Sequence, residues 1–399
     1  QINCKTNKLH KGMHKLSQMQ KLNVLREVLS MKKKLAVILA SAMAVSLTAC
    51  GGSKAPETTA AAAKTEAPAA DSKAEDKAED TQAAGGDTQA ASEASGNVML
   101  YSSMQEDQLM AIKEGFEKKY PNIKMDYYFA GTGKVITKIA TEHQSGQVAA
   151  DVIWVGDPSD YIGFKNEGIL AKYSSPEASA IADKFIDSEG YYTGARMMNM
   201  SIGYNTSLVT EEEAPKSWND LLDAKWNNQI VMTDPSSAGT TKYFVGALLS
   251  SPDYGEEYFQ KLKDNGCELE SGTTATHNQV AAGAYKVGIM LDYVTQNLMD
   301  EGSPLGFTYI DKDLVSIFSP IGLVEGCANE TNGKLLYDFI LSKEGQEILV
   351  ENNLLSVRDD VDQKGASVEE IAKAAMTVDL QSLSDNSDQI IETFDNIFK

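Results

Sequence analysis

Ala150-Asp151-Val152-Ile153-Trp154-Val155-Gly156-Asp157 reads as a short strand running into a turn, and almost every strand position is apolar. A sheet face open to water alternates polar and apolar residues, so an unbroken apolar run requires cover on both faces. Working back, Lys124 to Ala130 is a second strand and Gly131 to His143 a helix. Leu109, Ile112 and Phe116 mark an earlier helical face that stops at Tyr120-Pro121, after a first strand over Asn97–Tyr101. This β-α-β-α-β order predicts an α/β fold built on a parallel, helix-covered sheet. Such sheets bind ligands beyond the carboxyl ends of their strands.

Working forward, Met197 to Tyr204 reads as one long strand that ends in the polar turn Asn205-Thr206. Further units follow: a strand Gln229–Met232, helices from about Thr240 and Tyr254, and a strand near Cys267. Next come a helix ending near Ala282 and a strand Gly288–Leu291. A last strand pair, Gly306–Ile310 and Ser316–Leu323, leads into helices containing Leu335–Ile340 and Ile348-Leu349. A body of about 300 residues exceeds one ordinary core, so two lobes are expected. The long strands, one early and one late, are where the chain would cross between them. Lobe one is placed at 98–202 plus 318–399, and lobe two at 203–317.

The N-terminal part is different in kind. Met31, three lysines and an apolar run from Leu35 to Leu47 end in Leu47-Thr48-Ala49-Cys50. A charged start, a short apolar core and small residues before a cleavage point make an export signal, too short to span a bilayer. With the cysteine it resembles a bacterial lipoprotein signal, which implies a signal peptide over 31–49 and lipid on Cys50. Residues 1–30 are read as an upstream extension. The stretch 50–97 is read as a tether, since 51–97 has no aromatic or large aliphatic side chain before Val98. Such composition cannot offset chain entropy by burial. As a coil it would reach roughly 35–40 Å.

The formal charge is −21, but the first fifty residues carry nine Lys/Arg against Glu27. The body is therefore more acidic than the whole, and lacks the basic footprint that nucleic acid requires. Cys267 and Cys327 are the body's two cysteines, and sequence leaves open whether they pair. No CxxC or Cys/His cluster indicates a metal, and no cofactor motif is present.

Four strand-to-helix turns are rich in hydroxyls or glycine: Ser102-Ser103, Gly131-Thr132-Gly133, Ser236-Ser237-Ala238-Gly239-Thr240-Thr241 and Gly272-Thr273-Thr274. Free N–H groups and the positive dipole end of a helix favour an oxyanion, and Ser or Thr add uncharged donors. Simple N-capping would use the same residues. Four turns facing one cleft would form an oxyanion cage. Asp157 and Asp292 stand at strand ends and would meet an ammonium or metal at the ligand's far end. Capping for Asp157 and solvation for Asp292 are the competing explanations. Tyr293 would be a wall of the site.

The body resembles the solute-binding proteins of bacterial ABC importers, in the branch holding ferric-ion, thiamine, hexose-phosphate and 2-aminoethylphosphonate binders. The likeness rests on Val98-Met99-Leu100-Tyr101-Ser102-Ser103, Ala150–Trp154 and Gly203-Tyr204-Asn205-Thr206. Pro215-Lys216-Ser217-Trp218-Asn219-Asp220-Leu221-Leu222 and Ser342-Lys343-Glu344-Gly345-Gln346-Glu347 add to it. It implies a two-lobe periplasmic-binding-protein-like fold of type II, each lobe a helix-covered mixed sheet, with two crossover strands at the hinge. It also implies an ABC permease and its ATPase as partners, and a monomer. Ferric binders of that branch present two adjacent tyrosines where this chain has Asp292-Tyr293-Val294. In its phosphonate and sugar-phosphate binders, hydroxyls and helix starts hold the phosphoryl group. The matching residues are Ser102, Ser103, Thr132, Ser236, Ser237, Gly239 and Thr240. A phosphonate or phosphorylated solute is the expected cargo, with ferric ion and a receptor-sensing role as alternatives. An enzyme is not expected, because no nucleophile elbow, P-loop or metal-binding His cluster is present.

Overall fold

The computed structural model describes residues 94–399. The expected upstream extension, signal peptide and lipid site Cys50, with nearly all of the tether, lie outside the described residues. The first strand, β1 (Gly96–Ser102), buries Val98 and Leu100 completely. Leu109, Ile112 and Phe116, spaced at three and four residues, form the buried face of α1 (Glu106–Lys119). Acids in its first turn and lysines in its last complement the dipole. The chain continues through β2 (Ile123–Phe129), α2 (Thr132–Gln144), β3 (Val152–Trp154) and α3 (Ser159–Asn166). β1 pairs in parallel with β2 on one side and β3 on the other, the arrangement that the apolar β3 required.

All thirteen residues of β4 (Thr193–Asn205) are buried, because it serves both lobes. Its first half, to Asn199, pairs antiparallel with β9 (Ser316–Leu323), which also pairs with β3. From Met200 it pairs with β7 (Val287–Leu291) instead. Between these lie β5 (Ile230–Thr233), α4 (Gly239–Leu249), α5 (Gly255–Asp264), β6 (Glu268–Glu270) and α6 (Thr273–Ala281). After β7 come α7 (Asp292–Asp300) and β8 (Leu305–Thr308). The sheet order is β2-β1-β3-β9-β4-β7-β5-β6, with β8 on β4. The segments expected as a last strand pair thus do not pair with each other. Both lie against β4, which offers them successive stretches of one edge.

The chain ends with α8 (Glu330–Leu341), α9 (Lys343–Glu351), α10 (Val368–Ala374), α11 (Leu380–Asp385) and α12 (Ser387–Phe398). α12 buries Ile390, Phe394 and Phe398 on one stripe. Phe394 meets Phe259 of α5 edge-on at 5.6 Å, and Lys263 donates to the Phe398 carbonyl at 2.7 Å. The last helix therefore packs on helices of the second lobe, although 318–399 as a whole was expected in the first. α11 lies against α3 as well as α4. Cys267 and Cys327 are free thiols, the former buried.

Candidate functional site

Where the two half-sheets meet, the chain encloses a cavity of about 170 Å³. Four helix starts reach it: Ser103 and Gln105 before α1, Gly131 and Thr132 at α2, Ala238, Gly239 and Thr240 at α4, and Gly272, Thr273 and Thr274 at α6. Ser237, Tyr293 and Arg196 complete its polar lining, with Phe129, Met198 and Leu291 among the apolar groups. These starts carry N–H groups that their own helices leave free. Hydroxyls from Ser103, Thr132, Thr240 and Thr273 stand beside them, while Ser237 Oγ donates to the Asp234 carbonyl (2.9 Å) and Thr274 Oγ1 to Gln105 Oε1 (3.0 Å).

Arg196 was not expected here. It lies on β4, is only 2 % exposed, and lines the cavity. Its guanidinium carbon sits 5.4 Å from the Trp154 ring centroid and 5.9 Å from that of Tyr293. Nε and Nη1 have no hydrogen-bond partner among the described residues. Burial lowers its pKa from the ordinary arginine value and raises that of Tyr293. A buried cation with open donors is costly unless an anion meets it. The sequence did hold a signal: the chain has three arginines, and this one interrupts an apolar strand.

Several expected residues are engaged elsewhere. Ser102 Oγ donates to the Trp154 carbonyl (2.7 Å) and accepts from the Met104 N–H (3.0 Å), because the strand pleat turns it inward. Ser236 Oγ donates to Asp234 (2.6 Å), and with Gly133 it lines an outer groove rather than the cavity. Thr241 is buried and absent from the lining.

Both acids are spoken for. Asp292 accepts from the Asn199 backbone N–H (3.0 Å), the Asn199 amide (2.7 Å), the Tyr293 N–H (2.8 Å) and the Tyr309 hydroxyl (3.1 Å). Asp157 accepts from the N–H (2.8 Å) and Oγ (2.7 Å) of Ser159, as a turn-forming acid does. Its other oxygen lies 3.1 Å from Lys242 Nζ. Lys242, on α4, also bonds Asp160 on α3, and donates to Ser387 Oγ at 3.2 Å. This clasp joins the two lobes. Burial opposes the charge on Lys242, but Asp157 and Asp160 outweigh it and hold its pKa above the ordinary value.

The lobes also meet at glycines. A Cβ on Gly131 would sit 2.6 Å from the Ser237 carbonyl oxygen, and one on Gly239 would sit 2.9 Å from Thr132 Cγ2. Gly131→Ala should therefore wedge the jaws apart. Overpacking costs about 1–3 kcal/mol, so affinity for any cleft ligand should fall roughly tenfold. Calorimetric titration checks this, and unchanged affinity would mean the contact is not made in the bound state.

A two-lobe α/β clamshell with a small polar cavity between its jaws defines a solute-binding receptor. The chain belongs to the family described as bacterial extracellular solute-binding protein, whose profile matches residues 150–385. It is 31% identical over 262 residues to a Salmonella typhimurium protein provisionally named as a 2-aminoethylphosphonate-binding periplasmic protein. That match covers 61% of this chain and 72% of the relative. Among solved structures, the periplasmic binding protein AfuA of Actinobacillus pleuropneumoniae, with fructose-6-phosphate bound, matches with a TM-score of 0.69 and 24% identity. The match covers 76% of this chain and 99% of that one. Iron-bound HitA of Pseudomonas aeruginosa matches with a TM-score of 0.67 and 19% identity, over 75% and 99%. At these identities the two structures speak for the fold alone.

Proposed function

We propose that this chain captures a small phosphonate- or phosphate-bearing solute between its lobes and delivers it to an ABC permease and its ATPase. Arg196 carries the reading: a buried guanidinium that lines a cavity ringed by hydroxyls and helix starts, with Nε and Nη1 unpartnered among the described residues. That set suits a tetrahedral oxyanion. Size agrees, since a cavity of about 150 Å³ holds benzene, which favours a ligand nearer an ethylphosphonate than a hexose phosphate.

A ferric ion fits less well. It would enter beside a fixed positive charge, and the lining offers one phenol, Tyr293, whose proton burial makes harder to remove. On this reading lobe one comprises 98–202 with the chain from 318 to about 379, and lobe two 203–317 with α12 laid over it. Lipid on Cys50 would hold the monomer at the outer membrane face, with the tract to residue 97 as its leash.

The test is calorimetric titration of the full chain with methylphosphonate, inorganic phosphate, fructose-6-phosphate and ferric citrate. A saturable heat with the first two supports the proposal, and binding of iron alone overturns it. Thr240→Ala should then weaken the oxyanion by about tenfold or more, a donor to a charged group being worth about 1.5–3 kcal/mol. Wild-type affinity in that variant would count against the cage.

A further inference from the structure

The cavity carries one formal charge. Arg196 is its cation, and among the described residues lining it there is no aspartate, glutamate or histidine. The acids nearest in sequence to its lining are accounted for. Glu106, next to the lining residue Gln105, is exposed and accepts from the Tyr127 hydroxyl (3.2 Å), and Glu270, next to Ser271, accepts from Gln279 Nε2 (2.6 Å). Asp157 follows the lining residue Gly156, but is held by Ser159 and Lys242. Asp160 is bound to the same lysine. Asp292 precedes Tyr293, and its four hydrogen bonds turn it into the hinge. Asp107, two residues beyond Gln105, is exposed on α1, and its charge is the smallest of the influences on the Tyr293 hydroxyl.

An ammonium group brought into this space would be a second cation beside Arg196, with no carboxylate to meet it. Two like charges a few ångströms apart repel strongly once water is excluded, and an unpaired buried charge is costly by itself. The oxyanion end of a ligand is matched here and an amine end is not.

We infer that the cleft selects small oxyanions bearing no cationic group, and so discriminates against aminophosphonates. This rests on the oxyanion reading of the cavity and narrows it. Ethylphosphonate and 2-aminoethylphosphonate differ by the amine alone, so the pair isolates the effect. In calorimetric titration of the full chain at pH 7.5, ethylphosphonate should bind at least about tenfold more tightly, on the order of one uncompensated charge contact. Equal or tighter binding of 2-aminoethylphosphonate overturns the inference while leaving the oxyanion reading intact. If neither phosphonate binds, the oxyanion reading itself fails, and the inference falls with it. Ser271→Asp supplies a second arm, because Ser271 lines the cavity yet is exposed enough to accept a carboxylate without disturbing the core. That variant should shift the affinity ratio toward the aminophosphonate by several-fold. An unchanged ratio would also count against charge matching as the cause of selection.

Discussion

Arg196→Met should abolish measurable oxyanion binding and, at the same time, raise the melting temperature of the ligand-free protein. The first half follows from the open donors at Nε and Nη1. Hydrogen bonds to a charged group contribute about 1.5–3 kcal/mol each, so losing two weakens binding by at least roughly a hundredfold. The second half follows from the same donors without ligand. Each desolvated, unpaired polar group costs about 1–3 kcal/mol, and methionine carries none. Its thioether would sit between the Trp154 and Tyr293 rings, offsetting the lost cation–π contacts. A rise of roughly 2–4 °C is expected. Calorimetric titration and thermal denaturation read the two effects separately. A variant that melts lower and binds normally would make Arg196 a structural residue. Arg196→Lys should fall between, keeping the charge but not the planar fork.

Much of the fold was legible because its signals are local. The three- and four-residue spacing of Leu109, Ile112 and Phe116 and the apolar run at Val152–Trp154 each constrain a few neighbours. Pro121 marks where the first helix must stop. The helix starts at Thr132, Gly239 and Thr273 were legible for the same reason, since a hydroxyl- or glycine-rich turn after a strand is a short motif.

What escaped was long-range pairing. Asp157 and Asp292 look alike in sequence, each an acid just past an apolar strand. Their fates depend on Lys242 and Asn199, 85 and 93 positions away in the chain. Ser102 and Ser103 differ only by the strand pleat, which gives the first to the Trp154 carbonyl and the second to the cavity. Arg196 belongs to no motif. It matters because β4 carries it past Trp154 and Tyr293, a meeting visible only once the sheet is assembled.

Lys242→Met should open the clamshell. The clasp holds one cation against two acids, Asp157 buried and Asp160 partly buried. Removing the lysine leaves Asp157 without its cation and lets Asp160, already pushed up by burial, keep its proton; breaking a buried pair costs about 3–5 kcal/mol. The protein has an escape that a single-lobe core lacks. Parting the lobes returns both carboxylates to water, so the penalty appears as lost closure rather than as unfolding. The expected result is a larger radius of gyration in solution scattering and affinity reduced by roughly a hundredfold or more, with little change in melting temperature. Wild-type compactness and affinity in this variant would rule out the clasp as what holds the jaws. Acidity should act in the other direction. Burial, and then Asp157, push the Asp160 carboxyl up to about 7, with Lys242 pulling against them. Exposed, it titrates near 3.9. Between about pH 4 and 7 the closed form therefore holds a proton that the open form has released. That contribution to closure is complete below about pH 4 and is lost as pH rises through about 7. Asp160→Asn removes the titrating group, so closure measured by scattering from pH 5 to 8 should become flat in this variant. The triple variant Asp157→Asn, Asp160→Asn, Lys242→Met carries no clasp charge, and should close again without the lysine.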